Sequence, residues 1–376
     1  MQNEKPSYLR ELIETKEFEL NMGPQHPATH GVYRAILTLD GERIVGLNSV
    51  VGYLHRGIEK WAEYRTWQQA TPIFDRLDYL SAVINCHGYV GAVEKLLQVE
   101  IPKKAEYIRV ICDELQRIAS HLIWFGTHAL DIGAMSVLFY GVREREAIID
   151  LFEAHFGQRL LYNAYPIGGV RLDFPKGWVD ACRKFLKTFN SRIDEYETLL
   201  TENRIWKQRT IGVGVISKED AIAYGLSGPT LRGSGVYFDV RKSIPYSAYP
   251  DFDFEIPLGK NGDVYDRYLC RIREMRQSVR IIQQALDGMP EGELKGKVPK
   301  IIRPPVGEVY YSVEGAKGQL GFYIVSDGKD KPYRVHIKSP SFINLQGLDV
   351  MSRKQLIADM VAIIGSIDIV LGEVDR

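Results

Sequence analysis

An α+β fold dominated by helices, with a central helical bundle and small antiparallel sheets near either end, follows from three features of the sequence. Apolar residues recur at three-to-four spacing through most of the middle of the chain. Period-two alternation is confined to residues 17–52 and to a stretch after residue 305. No repeat, low-complexity tract or linker separates these parts, so the expected divisions form one integrated unit. They are an N-terminal β region (1–52), a helical core (53–290) and a C-terminal meander, helix and tail (291–376).

Taken in order, "EFELNMG" and "VYRAILTLDGERIVGLNSVVGY" read as strands, the second alternating around Asp40 and Gly41, a hairpin signal. Between them "GPQHPATHG" (residues 23–31) sets His26 and His30 four apart. On a helix both imidazoles would share a face. Pro24 and Pro27 forbid that, so a stiff loop is expected instead. From about residue 54 the pattern turns helical, with Leu77, Leu80, Ile84, Val93, Leu96 and Leu97 marking one helix over 73–98. Pro102 opens the next helix in its first turn, and Gly126 suggests a break within it. Further helices are expected near 143–161, 177–206, 263–287 and 353–366. Residues 207–262, rich in glycine, tyrosine and proline, read as irregular, and "EVYYSVEGAKGQLGFYIVSDGKDKPYRVHIKSP" as an antiparallel meander.

The 376 residues include 48 basic and 48 acidic side chains, a balance that argues against a nucleic-acid partner. Cys86, Cys112, Cys182 and Cys270 are scattered without a CxxC pair, so buried reduced thiols are expected rather than a zinc or iron–sulfur site. The start, "MQNEKPSYLRE", has no apolar signal core. Residues 119–141 are long and apolar enough to suggest a membrane span, but His121, His128 and Asp131 lie within them. A carboxylate at mid-bilayer costs about 3 kcal/mol, so a buried helix is expected and membrane contact only through partners.

Nucleotide chemistry finds little support: "GVGVIS" has GxG without a third glycine, and no Walker pattern occurs. No GxSxG elbow supports a hydrolytic triad. The loop histidines stand out because a proline-stiffened loop holds imidazoles in place at little entropic cost, and histidine can give a proton near neutral pH. A purely structural hydrogen-bonding role for them stays open on these grounds alone.

Many ordered motifs carry a resemblance: "NMGPQHPATHGVYR", "GYLHRGIEK", "DRLDYL", "ELQRIASHL", "GVRERE", "LRGSGVYFDVRK", "SPSFINLQGL" and "GEVDR". From about residue 18 onward the chain resembles the 49-kDa-type subunits of proton-pumping NADH–quinone oxidoreductases, respiratory complex I. These are similar in fold to the large subunit of nickel–iron hydrogenases. Hydrogenases end in Asp-Pro-Cys-x-x-Cys. Here Asp368 keeps the aspartate, while Ile369, Val370 and Glu373 stand at the proline and cysteine positions. Without thiolates the pocket cannot hold that metal centre. Ile369 also departs from the proline usual in the chain's own family, with only a local effect expected.

The resemblance implies quinone as substrate, with His30 and Tyr79 hydrogen-bonding its headgroup and Asp131 pairing with the histidine. His26 is expected to shape the loop, and His55 and Arg56 to face a neighbouring subunit near its iron–sulfur cluster. No metal or nucleotide is expected in this chain. Iron–sulfur clusters and FMN belong to partner subunits, and the implied partners are the B and C subunits of the complex and its membrane arm. The implied location is peripheral, on the cytoplasmic side of the cell membrane. Ubiquinone-using relatives carry a histidine in "GxRxHxxxxRxGG", where this chain reads "GQRLLYNAYPIGG", with Leu161 and Tyr162 there. That departure suggests a low-potential quinone such as menaquinone. Two other readings are a ferredoxin- or deazaflavin-fed relative and a scaffold without quinone contact.

Overall fold

The computed structural model describes residues 17–26 and 30–376, so Pro27 of the expected stiff loop lies outside the described residues. The N-terminal sheet is antiparallel, in the order β1 (Phe18–Met22), β2 (Arg34–Asp40), β3 (Arg43–Val50). Leu37 of β2 faces Leu20 and Leu47, and a register shift follows Thr38, beside the expected Asp40–Gly41 turn. The helices run α1 (Ile58–Glu63), α2 (Trp67–Phe74), α3 (Ala82–Leu97), α4 (Lys103–Asp131), α5 (Met135–Phe156), α6 (Trp178–Tyr196) and α7 (Arg204–Thr210). Three short helices, α8 (Lys218–Ala223), α9 (Gly228–Gly233) and α10 (Val240–Ser243), precede the long α11 (Val264–Gly288). A second antiparallel sheet follows, β4 (Gly307–Gly315), β5 (Gly318–Ser326) and β6 (Arg334–Lys338). The chain closes with α12 (Pro340–Gln346), α13 (Leu348–Ser352), α14 (Ile357–Ile367) and α15 (Leu371–Asp375). The α+β, helix-dominated class expected from the sequence is the class observed.

Two apolar cores organise these elements. The larger packs α3, α4, α5, α6 and α11 against the second sheet through residues such as Tyr89, Leu115, Phe152, Phe189, Met275 and Phe322. The smaller joins the N-terminal sheet to the end of the chain, with Leu37 and Ile44 beside Leu348, Ile363 and Leu371. Residues more than 300 positions apart thus share one core, and backbone bonds between Ile44 and the 354–355 segment reinforce it.

The helix expected over 73–98 is two helices, because the turn at 75–81 satisfies its backbone polar groups with side chains. Asp78 accepts from the Leu80 N–H (3.0 Å), Asn85 donates to the Asp78 carbonyl (2.9 Å), and Gln116 donates to the Leu80 carbonyl (2.6 Å). Conversely, α4 runs unbroken through Gly126. A β-carbon there would stand 2.9 Å from Leu138 Cα, so this glycine admits a neighbouring helix rather than ending its own. Gly141 does the same from α5, where a β-carbon would meet the Leu122 carbonyl at 2.6 Å. Helix α5 begins at Met135, ahead of the expected start, and α6 passes through a π-helical turn (Glu197–Thr201) before α7 begins.

At the centre lies a web of buried charge. Arg232 of α9 meets Glu314 of β4 (2.7 Å) and Glu274 of α11 (2.9 Å). Arg241 of α10 meets Asp239 (2.7 Å) and Glu114 of α4 (3.1 Å), and Arg117 closes on Glu114 (3.2 Å). Each of these side chains is almost wholly removed from water, so each depends on its partners to offset desolvation.

Candidate functional site

One cavity of ≈ 760 Å³ collects the residues singled out in the sequence. His26 and His30 from the loop after β1, Tyr79 and Leu80 from the 75–81 turn, and Trp124 and Asp131 from α4 form its walls, together with Asp368, Ile369 and Val370. A second groove of ≈ 620 Å³, along α5 and α6 beside Leu151, Trp178 and Phe185, contains no histidine, tyrosine or cysteine. His26, His30 and Tyr79 all line the first.

His30 sits in the left-handed region (φ 54), uncommon for a residue with a β-carbon, and its Nε2 meets the carboxylate of Asp131. Both side chains are largely covered, at 14 % and 11 % exposure. Asp131 is the last residue of α4, so this pair joins the loop to a helix end 101 residues away. A carboxylate on one ring nitrogen fixes the tautomer and turn of the imidazole, leaving the other nitrogen available. Tyr79, 46 % exposed, is raised by the turn. Burial first, then the adjacent Asp78, pushes its phenol above the usual tyrosine range, while Lys317 opposes them.

Beneath these groups the wall is apolar and aromatic. The Trp124 indole donates to the Gly365 carbonyl (2.6 Å) and stacks on His128, with Arg271 4.3 Å from its ring. Burial holds His128 well below the usual imidazole range, with the charges of His30 and Arg271 adding to the effect. Asp368, in the left-handed C-cap position of α14, stands 3.7 Å from Lys317 and 4.0 Å from Arg271. Burial pushes its carboxyl up, and the two cations pull it back.

The structure thus brings His30, Tyr79 and Asp131 to one cavity, with His26 at its edge. His55 and Arg56 are exposed and do not line it. The His55 imidazole meets the Asp375 carbonyl (2.7 Å), and Arg56 donates to the Arg76 carbonyl (2.7 Å). Sequence reasoning noted Asp368 only as a relic of a metal-binding motif, and missed Asp78 and Lys317. A lysine at the tip of a Gly-Ala-Lys-Gly hairpin gives no sign that it turns inward. Among the described residues no group of three or more His, Cys, Asp or Glu side chains could hold a metal ion, and the four cysteines are buried and unbridged. No described helix is long and apolar enough to cross a membrane.

The fold is helix-centred, with an acid–imidazole pair and a tyrosine around one cavity, and comparison with known proteins gives the family. The family described as "Respiratory-chain NADH dehydrogenase, 49 Kd subunit" matches residues 131–305 and 297–376, and the chain belongs to it. The D 2 subunit of NADH-quinone oxidoreductase from Solibacter usitatus is 56 % identical over 364 residues, covering 97 % of this chain and 98 % of that protein. The corresponding D subunits of Desulforamulus reducens (56 %, covering 96 % of this chain and 99 % of that one) and Dehalococcoides mccartyi (56 %, 97 % and 100 %) are similar over nearly the same span. The chain is accordingly a component of an NADH–quinone oxidoreductase, working with the other subunits of that complex.

Proposed function

We propose that this chain forms the quinone headgroup site of a proton-translocating NADH–quinone oxidoreductase. The observation that carries the reading is the meeting of Tyr79 and the His30–Asp131 pair in one cavity of ≈ 760 Å³. Reducing a quinone takes two electrons and two protons, so each carbonyl oxygen needs a donor. Tyr79 supplies an O–H and His30 an N–H, and Asp131 orients the imidazole. The electrons arrive from the terminal iron–sulfur cluster of the neighbouring B subunit. The C subunit and the membrane arm complete the assembly on the cytoplasmic face of the membrane, where quinone reduction drives proton pumping. His55 and Arg56, exposed beside the chain end, face the cluster-bearing neighbour.

Leu161 replaces the histidine that neighbours this cluster in ubiquinone-using relatives. It has a left-handed backbone (φ 58) in the loop that follows α5, and the next side chain, Tyr162, is tied to the Arg159 carbonyl (2.9 Å). With no imidazole there, a low-potential quinone such as menaquinone suits the site.

The test is quinone reduction in membranes carrying Tyr79→Phe, with an artificial acceptor upstream of quinone as the assembly control. Phenylalanine keeps the ring and removes the proton donor, so a loss of roughly a hundredfold or more in quinone reduction is expected with upstream activity intact. Full retention of both activities would place the quinone elsewhere.

A further inference from the structure

Lys317 occupies the tip of the hairpin between β4 and β5, where a lysine ordinarily reaches into water, yet it is 1 % exposed. The hairpin tip is itself covered: a β-carbon on Gly228 at the start of α9 would lie 2.5 Å from the Lys317 carbonyl. The ammonium donates to Ser120 Oγ (2.5 Å) on α4, stands 3.1 Å from Asp78 and 3.7 Å from Asp368. These carboxylates belong to the site in two different ways. Asp78 immediately precedes Tyr79 and shapes its turn, and Asp368 lines the cavity.

Oδ2 of Asp368, the oxygen facing both cations, makes no hydrogen bond among the described residues, and neither do Nε and Nη2 of Arg271 4.0 Å away. A lysine present only to neutralise Asp78 would not explain a second, unsatisfied carboxylate shared on its other side. One buried ammonium thus serves two buried acids beside the phenol, with Glu373 a third acid in its field.

We infer that Lys317 is a positioning residue for proton donation by Tyr79: it gathers Asp78 and Asp368 into one ion cluster and supplies the positive charge against which the phenol releases its proton. This rests on the quinone reading above. In the step, quinone takes two electrons delivered from NADH through the complex, one proton from the Tyr79 O–H and one from protonated His30. The product is hydroquinone, and both donors recharge from water. The phenolate formed would otherwise be a third negative charge beside Asp78 and Asp368. The direction of Lys317's effect on Tyr79, lowering its pKa against Asp78 and Asp368, agrees.

The experiment compares Lys317→Met, Lys317→Gln and Lys317→Arg in membranes, with Tyr79→Phe in parallel and the upstream acceptor as assembly control. For Met and Gln the expected result is a kcat roughly tenfold to a hundredfold lower, with KM for a short-chain quinone within about twofold. The solvent deuterium isotope effect on kcat should grow as proton transfer becomes limiting. Glutamine keeps a donor for Ser120 and Asp78, so it carries the comparison if methionine prevents assembly. Lys317→Arg retains the charge and should restore most of the rate and the wild-type isotope effect. Equal losses in all assembled variants with an unchanged isotope effect would make Lys317 a packing residue and overturn the inference. Unchanged kcat in Lys317→Gln overturns it too. Should Tyr79→Phe itself keep full quinone reduction, the quinone reading fails, which is a separate result.

Discussion

Single residues in this chain owe their chemistry to what covers them. Asp75 begins the turn that carries Tyr79. One of its oxygens accepts the Asn163 N–H at 2.5 Å, and the other has no hydrogen-bond partner among the described residues. Burial raises its carboxyl to about 7, against the opposing pull of that N–H and of Arg76. In the unfolded chain the same group titrates near 3.9, so the folded state holds the proton more tightly between those values. Its contribution to stability is complete below about pH 4 and is lost as pH rises through 7, with up to about 4 kcal/mol at stake. Asp75→Asn keeps the acceptor and removes the charge. The variant complex should withstand heating clearly better than wild type at pH 8, by a smaller margin at pH 5, and about equally only near pH 4. A heat-inactivation midpoint at pH 8 no higher than wild type would count against this account. Nothing in "FDRLDYL" distinguishes Asp75 from Asp78 as a buried neutral acid and a buried ionic one. One neighbour, Lys317, lies 239 positions from Asp78, and sequence spacing cannot bring it there.

At the scale of elements, the legible parts were those with a strong period or a strong local rule. The hairpin around Asp40–Gly41 and the meander were present in the alternation of side chains, and the long α4 and α11 in their three-to-four spacing. The failures were at breaks. Gly126 reads as a helix breaker but is a contact point for α5. The 75–81 turn reads as helix because Leu77 and Leu80 keep helical spacing, although side chains from α3 and α4 cap its backbone instead. The C-terminal tail is a further case. Asp375 accepts from the N–H groups of Gly52 (2.7 Å) and Leu54 (2.6 Å), so the last helix clasps the chain just after β3. The loop after α5 carries a prediction of its own. With Leu161 where ubiquinone-using relatives have histidine, the terminal cluster of the assembled complex should titrate at a low potential that does not change between pH 6 and 8. A redox titration followed by electron paramagnetic resonance would show this, and a high, pH-dependent potential would sink the menaquinone assignment.

Across the whole molecule, the buried charge web ties α4, α9, α10, α11 and β4 together at a point no apolar periodicity marks. Arg232→Met would leave Glu274 and Glu314 without their shared cation. Burial already raises the Glu314 carboxyl, with Asp239 next, against the pull of Arg232 and Arg241. Breaking such a pair from one side costs about 3–5 kcal/mol, so the variant should assemble poorly, with upstream and quinone activities falling together. Equal loss of both activities separates this from Tyr79→Phe, and full assembly of Arg232→Met would show that the web is dispensable. By itself the sequence determined the helix-dominated class, the two small sheets and the ordered motifs that identify the family, because these depend on local periodicity and on residue order. Only the tertiary structure decided that Asp368 joins Tyr79 and the His30–Asp131 pair in one cavity, and that Lys317 turns inward behind them. Burial and pairing across hundreds of residues are properties of the packed chain, and no local pattern encodes which charge a fold will remove from water.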